Sequence, residues 1–141
     1  MNQLQKLNAR FQNHRAGLLL LRSYLAVAML LHGFSKLQNG IEGIQGMVTA
    51  SGLPAVFAYG VLIGEVLAPA LLLVGCMVTP AALLIAFNMV IAIMLAHSGQ
   101  VLSLGKSGGW AIELQMFYFV SALVVAVTHK ASQQKVLAPN V

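Results

Sequence analysis

From Val56 to Val74 the chain is apolar over the thickness of a bilayer, except for one carboxylate, Glu65, near the middle of the run. As a helix, at 1.5 Å per residue, such a run covers roughly the 30 Å of the hydrocarbon layer. A charged side chain at the bilayer centre costs about 2.5–3.5 kcal/mol on insertion scales. It is retained only where a partner, a water-filled cavity or protonation offsets that cost. The chain has three acidic residues and no Asp, and two of the three, Glu65 and Glu113, fall inside or at the lip of apolar runs. Function is therefore expected among the groups around these two carboxyls.

The rest of the composition agrees with a lipid-solvated chain. Hydrophobic residues make up 59% of it and charged residues 8%, against about 25% charged in a typical soluble domain. The net charge of +5 is no sign of nucleic-acid binding, because the basic residues are spread over ends and loops and form no stripe. Cys76 is the lone cysteine, so paired-cysteine redox chemistry within one chain is excluded. Its bland reading is a small buried or interfacial hydrophobe.

Breakers and hydropathy divide the sequence into four expected spans over residues 17–37, 56–74, 80–96 and 110–127. The expected fold is all-α, a polytopic four-helix transmembrane bundle over residues 17–127. A basic leader (residues 1–16) precedes it and a polar tail (residues 128–141) follows. The first run carries Arg22 and lacks a small-residue cleavage site, so it reads as a retained span and not a removed signal peptide. Between the first two spans, Ile41, Ile44, Met47 and Val48 have the spacing of a short amphipathic helix lying on the membrane surface. Pro54 ends that segment, and Pro80 suits the first turn of the third span. Lys6, Arg10, Arg15, Lys130 and Lys135 fall on one side of this layout and only Lys36 and Lys106 on the other. Lys and Arg accumulate in the cytoplasm, which places both termini inside.

Spans alternate in direction, so depths can be compared between them. His32 and Lys36 are one turn apart and share a face near the outer end of the first span. Arg22 lies fourteen residues before Lys36, nearly four turns, on roughly the same stripe. Glu65 is near mid-membrane and Glu113 just inside the outer surface. His97, Lys106 and Trp110 join the outer group, and Asn88 in mid-span three extends it inward. Each has a structural reading beside the functional one. Glu65 could form an ion pair with Arg22 or His32. Arg22 could reach toward headgroups, and Lys36 could mark a helix end. Glu113 could favour a helix N-terminus, and Trp110 could anchor at the interface. Gly60 and Gly64 form a G-x-x-x-G element directly before Glu65, a spacing that brings helices close together in lipid. No metal site is expected, since nothing local supports a set of three or four ligands.

The order of these pieces resembles the DoxX family of small four-span bacterial membrane proteins. The resemblance rests on Arg22, His32-Gly33, Lys36, Gly52-Leu53-Pro54, Glu65, Gly75, Thr79-Pro80, Met89 and Glu113-Leu114, and covers roughly Gly17 to Val127. It implies a multi-pass bundle in the bacterial inner membrane. It also implies that the family's recurrent Arg, His-Gly, Lys and Glu positions fall on Arg22, His32, Gly33, Lys36, Glu65 and Glu113. The family takes its name from a subunit associated with quinol oxidation and thiosulfate:quinone oxidoreduction in archaea.

Three functions stay open at this point. The first is a membrane subunit of a redox system, holding a quinone or a small sulfur or oxygen species near Glu65 and His32, with electrons supplied by a partner redox protein. His and a carboxyl suit proton transfer to such a group. The second is a non-catalytic scaffold or assembly subunit. The third is a small proton-linked transporter with Glu65 as its proton site, for which a homo-oligomer would be needed to make room. Membrane lipid is the expected surrounding in every case, and no nucleic acid is expected.

Overall fold

The computed structural model describes residues 13–106 and 108–137, with side chains to residue 129. The basic leader up to residue 12, including Lys6 and Arg10, lies outside the described residues, as do the side chains of Lys130 and Lys135 in the tail.

Helix α1 covers His14–Asn39. The Asn13 side chain caps it by accepting from the Ala16 N–H at 3.1 Å, which satisfies one of the free donors of the first turn. Gly40, at φ 83°, ends it. The short helix α2 (Glu42–Ala50) follows. Its Val48 is buried, so the amphipathic segment packs on the protein with one face.

Helix α3 runs from Ala55 to Val74 and changes pitch along the way. It opens as a 3-10 turn over Ala55–Tyr59 and widens to a π turn over Ile63–Leu67. It closes as an ordinary α-helix over Ala68–Val74, terminated by Gly75 in the left-handed region at φ 81°. Pro69 accounts for part of this. It has no N–H to offer the Glu65 carbonyl four residues earlier, and its ring crowds that carbonyl in the α register. Glu65 thus sits in the middle of a wide turn, a feature often found at functional sites.

Helices α4 (Val78–Ala96) and α5 (Glu113–Leu137) complete the described fold. Helix α5 begins three residues later than expected. A loop holds the preceding segment, with a bridge between Leu104 and Trp110 and a 2.7 Å bond from Trp110 Nε1 to the Val101 carbonyl.

Helices α1, α3 and α4 are each long and apolar enough to cross a membrane. The apolar part of α5, Glu113–His129, is shorter. Helix α1 packs on α3 and α5, and α4 packs on the same two. The shared interior interleaves small side chains with larger ones: Ala26, Ala68, Ala81, Ala82, Ala86 and Ala122 are all buried, as are Leu25, Met29, Leu72 and Ile85. Other large apolar groups such as Leu20, Leu31, Ile63, Phe87, Met94 and Phe117 point outward and are exposed. The buried alanines suit helices that associate in lipid, where burial of apolar surface drives nothing and close backbone contact does.

The tightest approach is at Gly33. A Cβ there would overlap the carbonyl oxygen of Glu65 and lie 2.6 Å from Val66 Cγ2. Gly64 is similarly crowded, with Asn88 Cβ and Cγ 2.5 Å from where its Cβ would be. Gly60 corrects the sequence expectation. Nothing lies within 4 Å of its missing Cβ, because the π turn that begins at Ile63 takes it off the face Gly64 presents. Of the G-x-x-x-G pair, only Gly64 packs against another helix among the described residues of the chain.

Gly33→Ala should therefore lower stability by about 1–3 kcal/mol through overpacking. Gly60→Ala should change it by no more than about 0.5 kcal/mol. Thermal unfolding of the two variants in detergent tests this, and equal effects would contradict the packing role of Gly33.

Candidate functional site

Gly33 and Gly64 bring α1 and α4 close to the π turn, and both helices deliver a polar group to Glu65. Lys36, three residues after Gly33 and hence on the same face, donates from Nζ to Glu65 Oε2. Asn88 Nδ2 donates to the other oxygen, Oε1, at 3.3 Å. The Glu65 side chain is 4% exposed and that of Lys36 29%. Both carboxylate oxygens are thus satisfied in the interior, which a buried charge requires.

This carboxylate borders a cavity of about 220 Å³ at the end of the molecule where α1 and α4 finish and α5 begins. Met29, Met47 and Met89 form much of its apolar wall, with Leu95 and Leu114. Met47 comes from α2, so the amphipathic segment helps to close the cavity. The polar lining consists of Glu65, Lys36, His32, His97, Gln115 and Tyr118. His32 Nε2 is 3.4 Å from the Tyr118 hydroxyl. The two rings meet edge to face, with centroids 5.7 Å apart and planes at 79°, a favourable arrangement for aromatic rings. His97 is held at both ring nitrogens: Gln115 Nε2 is 2.9 Å from its Nε2, and Gln100 Oε1 is 3.1 Å from its Nδ1. The two glutamine amides thus fix the orientation of the ring. An apolar recess with a few convergent polar groups has the form of a small-molecule site.

The structure brings together Lys36, Glu65 and Asn88, with His32 and His97 around the same cavity. It leaves two expected members apart. Arg22 lies at the other end of α1, about 21 Å along the axis from Lys36, with its guanidinium beside Gly75. The ion pair expected between Glu65 and Arg22 or His32 is instead made with Lys36, because that separation along the stripe puts Arg22 out of reach. Glu113 is exposed, in the first turn of α5. Its carboxylate lies against Gly109, in the loop, because the helix starts at Glu113 itself. Cys76 is exposed in the short connection before α4.

Tyr118 and Gln115 are cavity residues that the polar pattern did not single out. The signal that finds them is helical spacing. Gln115, Tyr118, Ala122, Val125 and Ala126 recur at three and four residues, and Tyr118, Ala122, Val125 and Ala126 form the buried stripe of α5.

The family model of DoxX matches residues 17–98, more than half of the chain. The chain belongs to the DoxX family and is a membrane protein with multi-pass helices. The matched stretch carries Arg22, His32, Gly33, Lys36, Glu65 and Asn88, while Glu113, Gln115 and Tyr118 lie beyond it. No curated protein and no solved structure matches the chain.

Lys36→Met leaves the Glu65 carboxylate buried beside Asn88 alone. The double variant Lys36→Met/Glu65→Gln should be more stable than that single variant, with a coupling of about 0.5–3 kcal/mol between the positions. A double-mutant cycle on unfolding in mixed micelles measures it. Additive effects would show that the pair is not coupled.

Proposed function

We propose that this DoxX-family membrane protein is a redox-associated subunit that holds a quinone headgroup in the cavity beside Glu65. The observation that carries this reading is the combination in one recess of apolar walls with groups able to hold or pass protons. A flat headgroup fits between the thioethers of Met29, Met47 and Met89, which are soft and adapt to their contacts. The donors that line the recess, Lys36 beside Glu65 and His32 with Tyr118 one helical turn away, suit a ligand with carbonyl oxygens. A bound quinone would supply two-electron, two-proton chemistry, with the electrons delivered by a partner protein. In this reading the Glu65 carboxylate, accepting from Lys36 and Asn88, holds those two donors in place beside the headgroup. His32 relays a proton through the Tyr118 hydroxyl, and the methionine walls keep bulk water out.

The reading extends to topology. Helix α5 acts as the fourth span: Phe117, Val120 and Val127 on it are exposed large apolar groups like those on the other three long helices. Both termini lie in the cytoplasm of a bacterial cell with the protein in its inner membrane. The support is the basic group at the terminal end, where Arg15 and Arg22 lie, against Lys36 and Lys106 at the other, of which Lys36 is paired with Glu65. Such an imbalance of Lys and Arg orients membrane proteins.

A scaffold role is the second reading, favoured by the fact that Glu65 is already matched by Lys36 and Asn88 and needs no ligand. Quinone titration of the purified protein in lipid nanodiscs separates the two. Saturable binding is expected. Tyr118→Phe should weaken it by the loss of one hydrogen bond, about 0.5–1.5 kcal/mol or a few-fold to tenfold in Kd. Met89→Trp should fill the cavity and abolish it. Absence of saturable binding, or binding indifferent to Met89→Trp, would remove the quinone reading.

A further inference from the structure

At the opposite end of the molecule lies a second recess, of about 310 Å³, that the quinone reading does not use. One wall is a stripe of α1: Arg15, Leu18, Leu19 and Arg22 follow at three, four and seven residues and so share a face. The facing wall comes from α5, where Val125, Thr128 and His129 have the same spacing. Val78, at the first turn of α4, closes the floor. The first turns of α1 and α4 both border this recess, and helix N-termini carry partial positive charge.

Among the described residues, the arginines here have no acidic counterpart. The whole chain has only three acidic side chains, Glu42, Glu65 and Glu113. Glu65 is paired with Lys36, Glu42 lies against Gly40 and Glu113 against Gly109, all remote from this end. Arg22 Nε is buried and has no hydrogen-bond partner among the described residues. Two guanidinium groups, which stay charged at any physiological pH, thus border a recess that has an orphan donor and, among the described residues, no carboxylate. An external anion is the group that completes it.

We propose that this recess binds a phosphate group, and that in the membrane its source is the headgroup of an anionic phospholipid. The planar fork of arginine matches phosphate oxygens in pairs. Leu18, Leu19 and Val125 offer apolar contact for the start of an acyl chain. A basic recess between membrane helices is the usual form of such a lipid site.

Native mass spectrometry of the detergent-purified full chain tests this, with phosphatidylglycerol, phosphatidylcholine and inorganic phosphate as probes. One phosphatidylglycerol should be retained per chain, at least tenfold more tightly than phosphatidylcholine. Arg15→Gln/Arg22→Gln should lose at least tenfold of that binding. Thr128→Asp places a carboxylate inside the recess on the α5 wall, and should displace the lipid with both arginines intact. It therefore serves as the test if the double variant fails to fold. Should inorganic phosphate displace phosphatidylglycerol at equal concentration, the phosphate chemistry stands and the lipid source is overturned. Equal retention of the two lipids, or undiminished binding in Thr128→Asp, overturns the site.

Discussion

A carboxylate surrounded by hydrocarbon must have its charge matched where it stands, and in this protein that requirement organises three helices. Glu65 receives Lys36 from α1 and Asn88 from α4. Neither side chain would reach it without the absence of a Cβ at Gly33 and Gly64, which lets the backbones close in. The π turn at Ile63–Leu67, with Pro69 behind it, sets the direction from which the carboxylate meets its partners. Removing the charge match would leave a buried ion that the surroundings cannot solvate. Gly33 and Gly64, with the buried alanines around them, are what allow the helices to approach this closely.

The two ends of the molecule differ in how charge is handled. At the cavity end, cation and anion come from the same chain, so the interior there is neutral as a unit. At the terminal end, Arg15 and Arg22 border a recess to which the described residues contribute no acid. Arg22 and Lys36 belong to one stripe of α1, with Leu25, Ala26, Met29 and Gly33 buried between them. One face of a single helix therefore serves both ends. Its apolar middle isolates the two polar regions from each other.

Much of this was legible in the order of residues. The apolar runs located α1, α3 and α4 within a few residues, and the His32 to Lys36 spacing placed both on the face that borders the cavity. Depth arguments also drew Asn88 toward Glu65. Depth says nothing, however, about rotation around a helix axis or the starting residue of a helix, and those decided the rest. Glu113 has suitable depth but begins its helix, so it meets the loop and not the cavity. Gly60 precedes the wide turn and loses its partner's face. The π turn itself was hidden, because the sequence shows Pro69 but not which of several adjustments the freed carbonyl will take. Arg22 was placed on the correct stripe, and only the length of α1 kept it from Glu65.

The methionines of the cavity carry a further consequence. Met29, Met47 and Met89 contribute unbranched thioethers to its wall, and such side chains change rotamer at small cost to suit what touches them. A cavity bounded this way imposes little selection by outline, so molecules of rather different contour could be accommodated equally well. Discrimination then rests on the few fixed donors and acceptors around it.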